Sequence, residues 1–369
     1  MTAGLSHFYR GYPLTDSSCC KEAPHPGVLR YPFDTVPAPG GAVEVAPGVL
    51  WIRLDLPGPL AHINVWALED DGGWTIVDTG LHGPQSIAAW GALLAGPLQG
   101  RSVTRVIGTH LHPDHVGMAG WLTQRFGCRL WMTRLDYLHC KAMVSDTGRE
   151  APPDAIRFYQ RAGWDEDAIA RYRGRFGRFG RMFYHFPDSF RRIAEGESLL
   201  IGAHVWHVVI GRGHTPEHAC LLCPALQLLI SGDQVLPRIS SNVSVHPTEP
   251  DANPLGEWLD SIRALRAGLP GEVLVLPAHN EPFYGLHARL TQLELGVEGS
   301  LGRLREALQQ PRRVIDVFTA LFRRDIPGAD ANNYGLASGE AIAHLNYLLR
   351  AGEAVAEADA DGVLWYRLA

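Results

Sequence analysis

The chain has 369 residues, 46% hydrophobic and 20% charged, enough to bury a large core and to divide into one large domain and a smaller one. Its 33 basic and 39 acidic residues leave a net charge of −6, which excludes a general electrostatic pull toward nucleic acid or anionic membrane. Apolar runs long enough to span a membrane are missing, the six cysteines are irregularly spaced, and only Lys21 and Lys141 are lysines. A soluble, cytoplasmic protein with reduced thiols and without lysine Schiff-base chemistry is therefore expected.

Residues 1–42 are rich in proline, glycine and turn formers and read as an irregular arm, with Cys19 and Cys20 as bystanders. From Val43 the pattern changes to short β-rich runs at 49–54, 62–68 and 74–78, which predict an antiparallel meander. A helix over 84–95, a strand over 103–108, a helix over 116–126 and a strand over 129–132 follow as β/α alternation. Residues 134–192 read as a helical insertion. Strands resume at 198–210, 219–223, 226–230 and 273–276, with a helix over 255–267. Beyond residue 285 the chain is helical at 286–310, 314–322 and 338–350, and ends in a hairpin over 354–368. The division read from this is an arm (1–42), a catalytic domain (43–285) and a small C-terminal domain (286–369).

The chemistry is concentrated in Thr109-His110-Leu111-His112-Pro113-Asp114-His115, directly after an apolar strand. Imidazole and carboxylate are the usual ligands for zinc, iron or manganese, and a loop leaving a strand can aim several of them into one cavity. His214, Asp233 and His279 each follow an apolar run in the same way, and Asp78 stands in Val77-Asp78-Thr79-Gly80. Cys220 and Cys223 lie three apart in a strand, on opposite faces, and are read as core packing.

In these motifs, in their order and at strand ends, residues 43–285 resemble the metallo-β-lactamase superfamily. The resemblance implies an α+β fold, an αβ/βα sandwich of two sheets with the site at one edge. It implies that His110, His112 and His214 hold one divalent ion, that Asp114, His115 and His279 hold a second, and that Asp233 bridges them. Asp78 and His218 would orient ligands rather than bind. Two ions, zinc in the leading reading with iron or manganese as alternatives, would hold a hydroxide as nucleophile, and Asp114 would carry the proton to the leaving group. Aspartate and histidine at 233 and 279, in place of cysteine, are similar to the glyoxalase II-like branch and favour hydrolysis of an ester-like bond, a thioester first. A lactonase, a phosphodiesterase or ribonuclease, and an iron-dependent persulfide dioxygenase-like enzyme are the competing readings. The sequence departs from the family at Glu217, where glycine is common; a solvent-facing carboxylate is expected there.

The insertion interleaves arginines with aromatics, and Phe176, Phe179 and Phe183 sit at helical spacing. Two readings stay open: an amphipathic helix with a solvated arginine face, or a lid whose Arg171, Arg175, Arg178 and Arg181 bind an anionic group on a small-molecule substrate. The C-terminal domain resembles a winged-helix appendage in pattern. Its helix over 338–350 and its hairpin lack a basic patch, so no nucleic acid is expected to bind, and packing or homodimerisation is its expected role.

Overall fold

The computed structural model describes residues 28–369; Cys19, Cys20 and most of the arm lie outside the described residues. A seven-stranded sheet runs in chain order through β1 (Ala42–Ala46), β2 (Val49–Asp55), β3 (His62–Asp70), β4 (Gly73–Val77), β5 (Ser102–Ile107), β6 (Arg129–Met132) and β7 (Phe190–Arg192). A five-stranded sheet contains β8 (Ser198–Ile201), β9 (His204–Gly211), β10 (His218–Cys223), β11 (Leu228–Gly232) and β12 (Leu274–Pro277), in the order β12-β11-β10-β9-β8.

Period-two alternation decides which sheet face each side chain serves. On β3, Trp66 and Leu68 enter the core between the sheets, whereas Ile63, Val65 and Ala67 enter the core under the outer helices. The same alternation separates Cys220 from Cys223, which lie in different cores, as the sequence reading required. Helices α1 (Pro84–Ala95), α2 (Pro113–Val116) and α3 (Ala119–Phe126) cover the first sheet. The second is covered by α7 (Pro254–Gly268), α8 (Leu286–Ala307) and α10 (Ala331–Arg350). The result is the expected αβ/βα sandwich.

The expected insertion contains α4 (Arg134–Ser145), α5 (Pro153–Arg161) and α6 (Glu166–Arg175), then a single 3-10 turn at Phe179–Met182. It does not stay helical to its end: 190–192 form β7, parallel to β6 at the sheet edge. Nor do Phe176, Phe179 and Phe183 share a helix, because α6 stops at Arg175 and Gly177, at φ 70, turns the chain. The strand expected over 198–210 is two, β8 and β9, joined by a turn through Gly202.

After α8, the short α9 (Phe318–Phe322) and α10 precede a hairpin of β13 (Ala354–Ala358) and β14 (Leu364–Leu368). The core of this C-terminal part is continuous with the catalytic part: Leu345 and Leu348 share a cluster with Leu229, Val275 and Trp258. Insertion residues Phe158, Tyr159 and Tyr172 belong to it too, and the indole of Trp164 donates to the Ser338 hydroxyl at 2.9 Å. No helix among the described residues is long and apolar enough to cross a membrane.

Candidate metal centre

Parallel pairing of β4 with β5 and of β11 with β12 brings the ends of these strands to one edge of the sandwich. Asp78 follows β4, the His110–His115 run follows β5, His214 follows β9, Asp233 follows β11 and His279 follows β12. Asp114 and His115 do not lie in an irregular loop as expected. They sit in the helical turn of α2, with His112 at its N-cap and Pro113 at its first position, where a missing N–H costs nothing. Backbone bonds tie the edge across the two sheets: Ala219 N–H donates to Thr109 O at 2.8 Å and Asn64 N–H to Ala278 O at 2.7 Å. Gly232 permits the tight approach, since at φ 50 a Cβ there would lie 2.6 Å from the His218 ring.

The seven residues singled out in the sequence meet in two groups, His110 with His112, His214 and Asp233, and Asp114 with His115 and His279. In the first, His110 Nε2 lies 2.9 Å from His112 Nδ1 and 3.3 Å from His214 Nε2. Nitrogens about 2.0–2.1 Å from one tetrahedral ion stand roughly 3.3 Å apart, so this spacing suits a shared cation. In the second, Asp114 Oδ2 is 3.5 Å from His279 Nε2 and 3.7 Å from His115 Nε2. Asp233 faces both: Oδ2 is 3.4 Å from His214 Nε2, and Oδ1 is 3.5 Å from both His115 Nε2 and His279 Nε2.

The ring orientations are set from behind. The Asp78 carboxylate meets His115 Nδ1 at 2.7 Å and accepts the Thr109 N–H at 2.8 Å. His214 Nδ1 lies 2.7 Å from Asn242 O, and His279 Nδ1 lies 2.8 Å from His62 O. In each case a donor bond at Nδ1 leaves Nε2 as the free lone pair. His218 is not a ligand: its Nε2 accepts the Asp233 N–H at 3.0 Å, and its ring stacks on His110 at 4.7 Å.

Burial, reinforced by neighbouring imidazoles, drives His110 far below the ordinary histidine range and His112 to about 3, so both are neutral and able to ligate. Burial alone would lower His115 as well, but Asp78, Asp233 and Asp114 outweigh it and raise the ring well above its usual value. The same contest holds Asp233 down: burial would raise it, and His115 and His279 overcome that. Three carboxylates around one buried imidazole make a potential that a cation satisfies. His115 Nε2 and Asp233 Oδ1 are buried with no hydrogen-bond partner among the described residues, the condition expected of atoms reserved for an ion. The donor set fits divalent metal binding.

A metallo-beta-lactamase superfamily model matches residues 58–279. The chain belongs to that superfamily. A metallo-beta-lactamase-like C-terminal domain model matches residues 301–369. Among solved structures, a beta-lactamase domain protein from Burkholderia ambifaria is 41% identical and covers 92% of this chain and 98% of its own, with a TM-score of 0.84. A metallo-beta-lactamase family protein from Thermus thermophilus is 22% identical over 88% of this chain and 100% of that one, with a TM-score of 0.71, and shows the fold alone. An uncharacterized protein of Aquifex aeolicus is 26% identical over 223 residues, 60% of this chain and 86% of that one.

Within this superfamily fold, Glu217 is partly exposed, and its carboxylate has a structural partner that the sequence reading did not foresee. Its Oε2 accepts the Leu135 N–H at 2.9 Å and so caps the start of α4. Asp136, which the sequence reading missed, joins the two ligand loops: its carboxylate accepts from Leu111 N–H at 3.0 Å and Glu217 N–H at 2.7 Å, and burial pushes it up to about 6. The available signal, Thr133-Arg134-Leu135-Asp136, reads as a local capping box, and the tertiary tie has no sequence mark.

The four arginines are not brought among the ligands. Arg171, Arg175 and Arg178 line a concavity of about 400 Å³ with Ala329, Asp330 and Ala331 at the start of α10, and Arg181 is exposed. Besides the start of α4, residues 182–185 of the insertion meet the ligand-bearing turns. Tyr184 N–H donates to Gly117 O at 2.8 Å, and His82 N–H donates to Met182 O at 3.3 Å. Gly120 admits that contact, because a Cβ would meet Tyr184 O at 2.1 Å.

Proposed function

We propose that the chain is a hydrolase that holds two divalent metal ions, zinc in the leading reading, and cleaves an ester-like bond, with a thioester as the favoured substrate. The observation that carries this is Asp233, whose two oxygens face two different ligand groups while Oδ1 has no hydrogen-bond partner among the described residues. His110, His112 and His214 would hold one ion, Asp114, His115 and His279 the other, with Asp233 common to both. Bound there, such a pair supplies Lewis acidity and a water nucleophile at neutral pH.

What the chain contributes follows from its own groups. Asp78, Asn242 O and His62 O fix three rings before substrate arrives, which lowers the reorganisation needed during reaction. Asp114 is the more open of the two ligand carboxylates, its side chain 21% exposed against 11% for Asp233. It is therefore placed to take a proton from attacking water and deliver it to the leaving group. Aspartate at 233 and histidine at 279, rather than thiolates, support the thioester reading through the resemblance. An anionic group on the substrate has candidate contacts in Arg171, Arg175 and Arg178, beside the start of α10 rather than inside the ligand cluster.

A panel of thioesters, lactones and phosphodiesters, each in charged and neutral forms, tests the proposal on protein whose metal content is measured. The expected outcome is turnover of thioesters that disappears on chelation and returns with metal. Phosphodiester cleavage without thioesterase activity, or no hydrolysis at full metal content, contradicts it.

A further inference from the structure

The carbonyl behind His214 belongs to the irregular stretch between β11 and α7 and not to a strand or helix. That stretch is fastened by the C-terminal helix. The Asn242 side chain donates through Nδ2 to Glu340 Oε2 on α10 at 2.8 Å and accepts from the Ser244 hydroxyl. Val245 N–H donates to Gly339 O at 3.0 Å. Helix and loop touch closely enough that a Cβ on Gly339 would lie 2.8 Å from Ser244 Oγ and 2.9 Å from Val245 O. The same loop reaches a second ligand, since the Ser241 hydroxyl donates to Asp233 O.

We infer that Glu340 is a positioning residue for the metal centre: by fixing Asn242, α10 aims the carbonyl that orients the His214 ring. The C-terminal domain then completes the support of the His110–His112–His214 group and does more than pack against it. This rests on the two-ion reading above. The physical reason is that a carbonyl steers a ligating ring only if it cannot itself rotate away. Residue 242 has no strand ladder to hold it, so the side-chain bond to a half-buried carboxylate 98 residues later supplies the restraint. Leucine at 340 keeps much of the volume but leaves the Asn242 amide without that acceptor; glutamine keeps an acceptor oxygen.

The test uses the full chain loaded with Co²⁺, titrated with a chromophoric chelator while the visible bands are followed, for wild type, Glu340→Gln and Glu340→Leu. Wild type is expected to release two ions. In Glu340→Leu one ion is expected to bind about 10–100-fold more weakly with an altered visible band, while Glu340→Gln stays near wild type. Wild-type affinity and spectrum in Glu340→Leu overturn the inference and leave the two-ion reading standing. A wild-type chain that binds fewer than two ions overturns that reading and the inference with it. If Glu340→Leu does not fold, Asn242→Ala cuts the same bond from the loop side and is judged by the same readouts.

Discussion

His115 shows how much of the centre depends on a residue that does not ligate. Asp78 sits at φ 62, a backbone region that asparagine and aspartate tolerate and most side chains avoid, and from there its carboxylate serves Thr109 N–H, the Thr109 hydroxyl and the His115 ring. Replacing it by alanine removes the acceptor and keeps the strain. Asp78→Ala is expected to weaken the ion of the Asp114–His115–His279 group by about 10–100-fold, and Asp78→Asn, which keeps one acceptor oxygen and tolerates the backbone, by less. Chelator competition measures both. Equal, wild-type affinities in the two variants would mean that the ring is held by packing alone.

At the level of elements, the strands and the ligand-bearing turns were readable because β-branched runs with period two end in the ligand residues themselves. The helix over 84–95 agrees end to end, and the strand over 129–132 likewise. The readings failed where a glycine or a tertiary partner decided the outcome. Gly202 folded one apparent strand into two, and Gly177 ended the aromatic stripe as a helix. Residues 190–192 became a strand because the open edge of β6 was available to pair, and three residues carry too little pattern to announce it. For the candidate centre, the seven residues that the structure gathers at the sheet edge were singled out by spacing and the resemblance. Asp136, Glu217 and Asn242 were not, because what they supply is a carboxylate or a carbonyl aimed across tens of residues of sequence.

At the scale of the whole molecule, the two sheets are fastened on the side of β3 by Asp70. Its buried carboxylate takes the Thr75 and Thr104 hydroxyls, the Gly202 N–H of the other sheet and the Arg105 guanidinium, the last at 2.8 Å. Burial would raise this carboxyl, but those hydrogen bonds and Arg105 prevail and bring it to about 2. An unfolded aspartate titrates near 3.9, so the folded group is the stronger acid: its stabilisation is complete above about pH 4 and is lost as pH falls through 2. Asp70→Asn should therefore be less stable than wild type by about 3 kcal/mol at pH 7, and the gap should close between pH 4 and pH 2 in denaturant unfolding. A gap that does not change with pH would show that shape and not charge is responsible.

The account as a whole turns on Asp233 joining two ions in one centre. The most direct measurement is the number of metal ions retained per chain after zinc reconstitution and exhaustive dialysis, for wild type and Asp233→Ala. Two ions per wild-type chain, falling to one or fewer when the shared carboxylate is removed, is the predicted result. One ion in wild type, or two retained undiminished in Asp233→Ala, would contradict it.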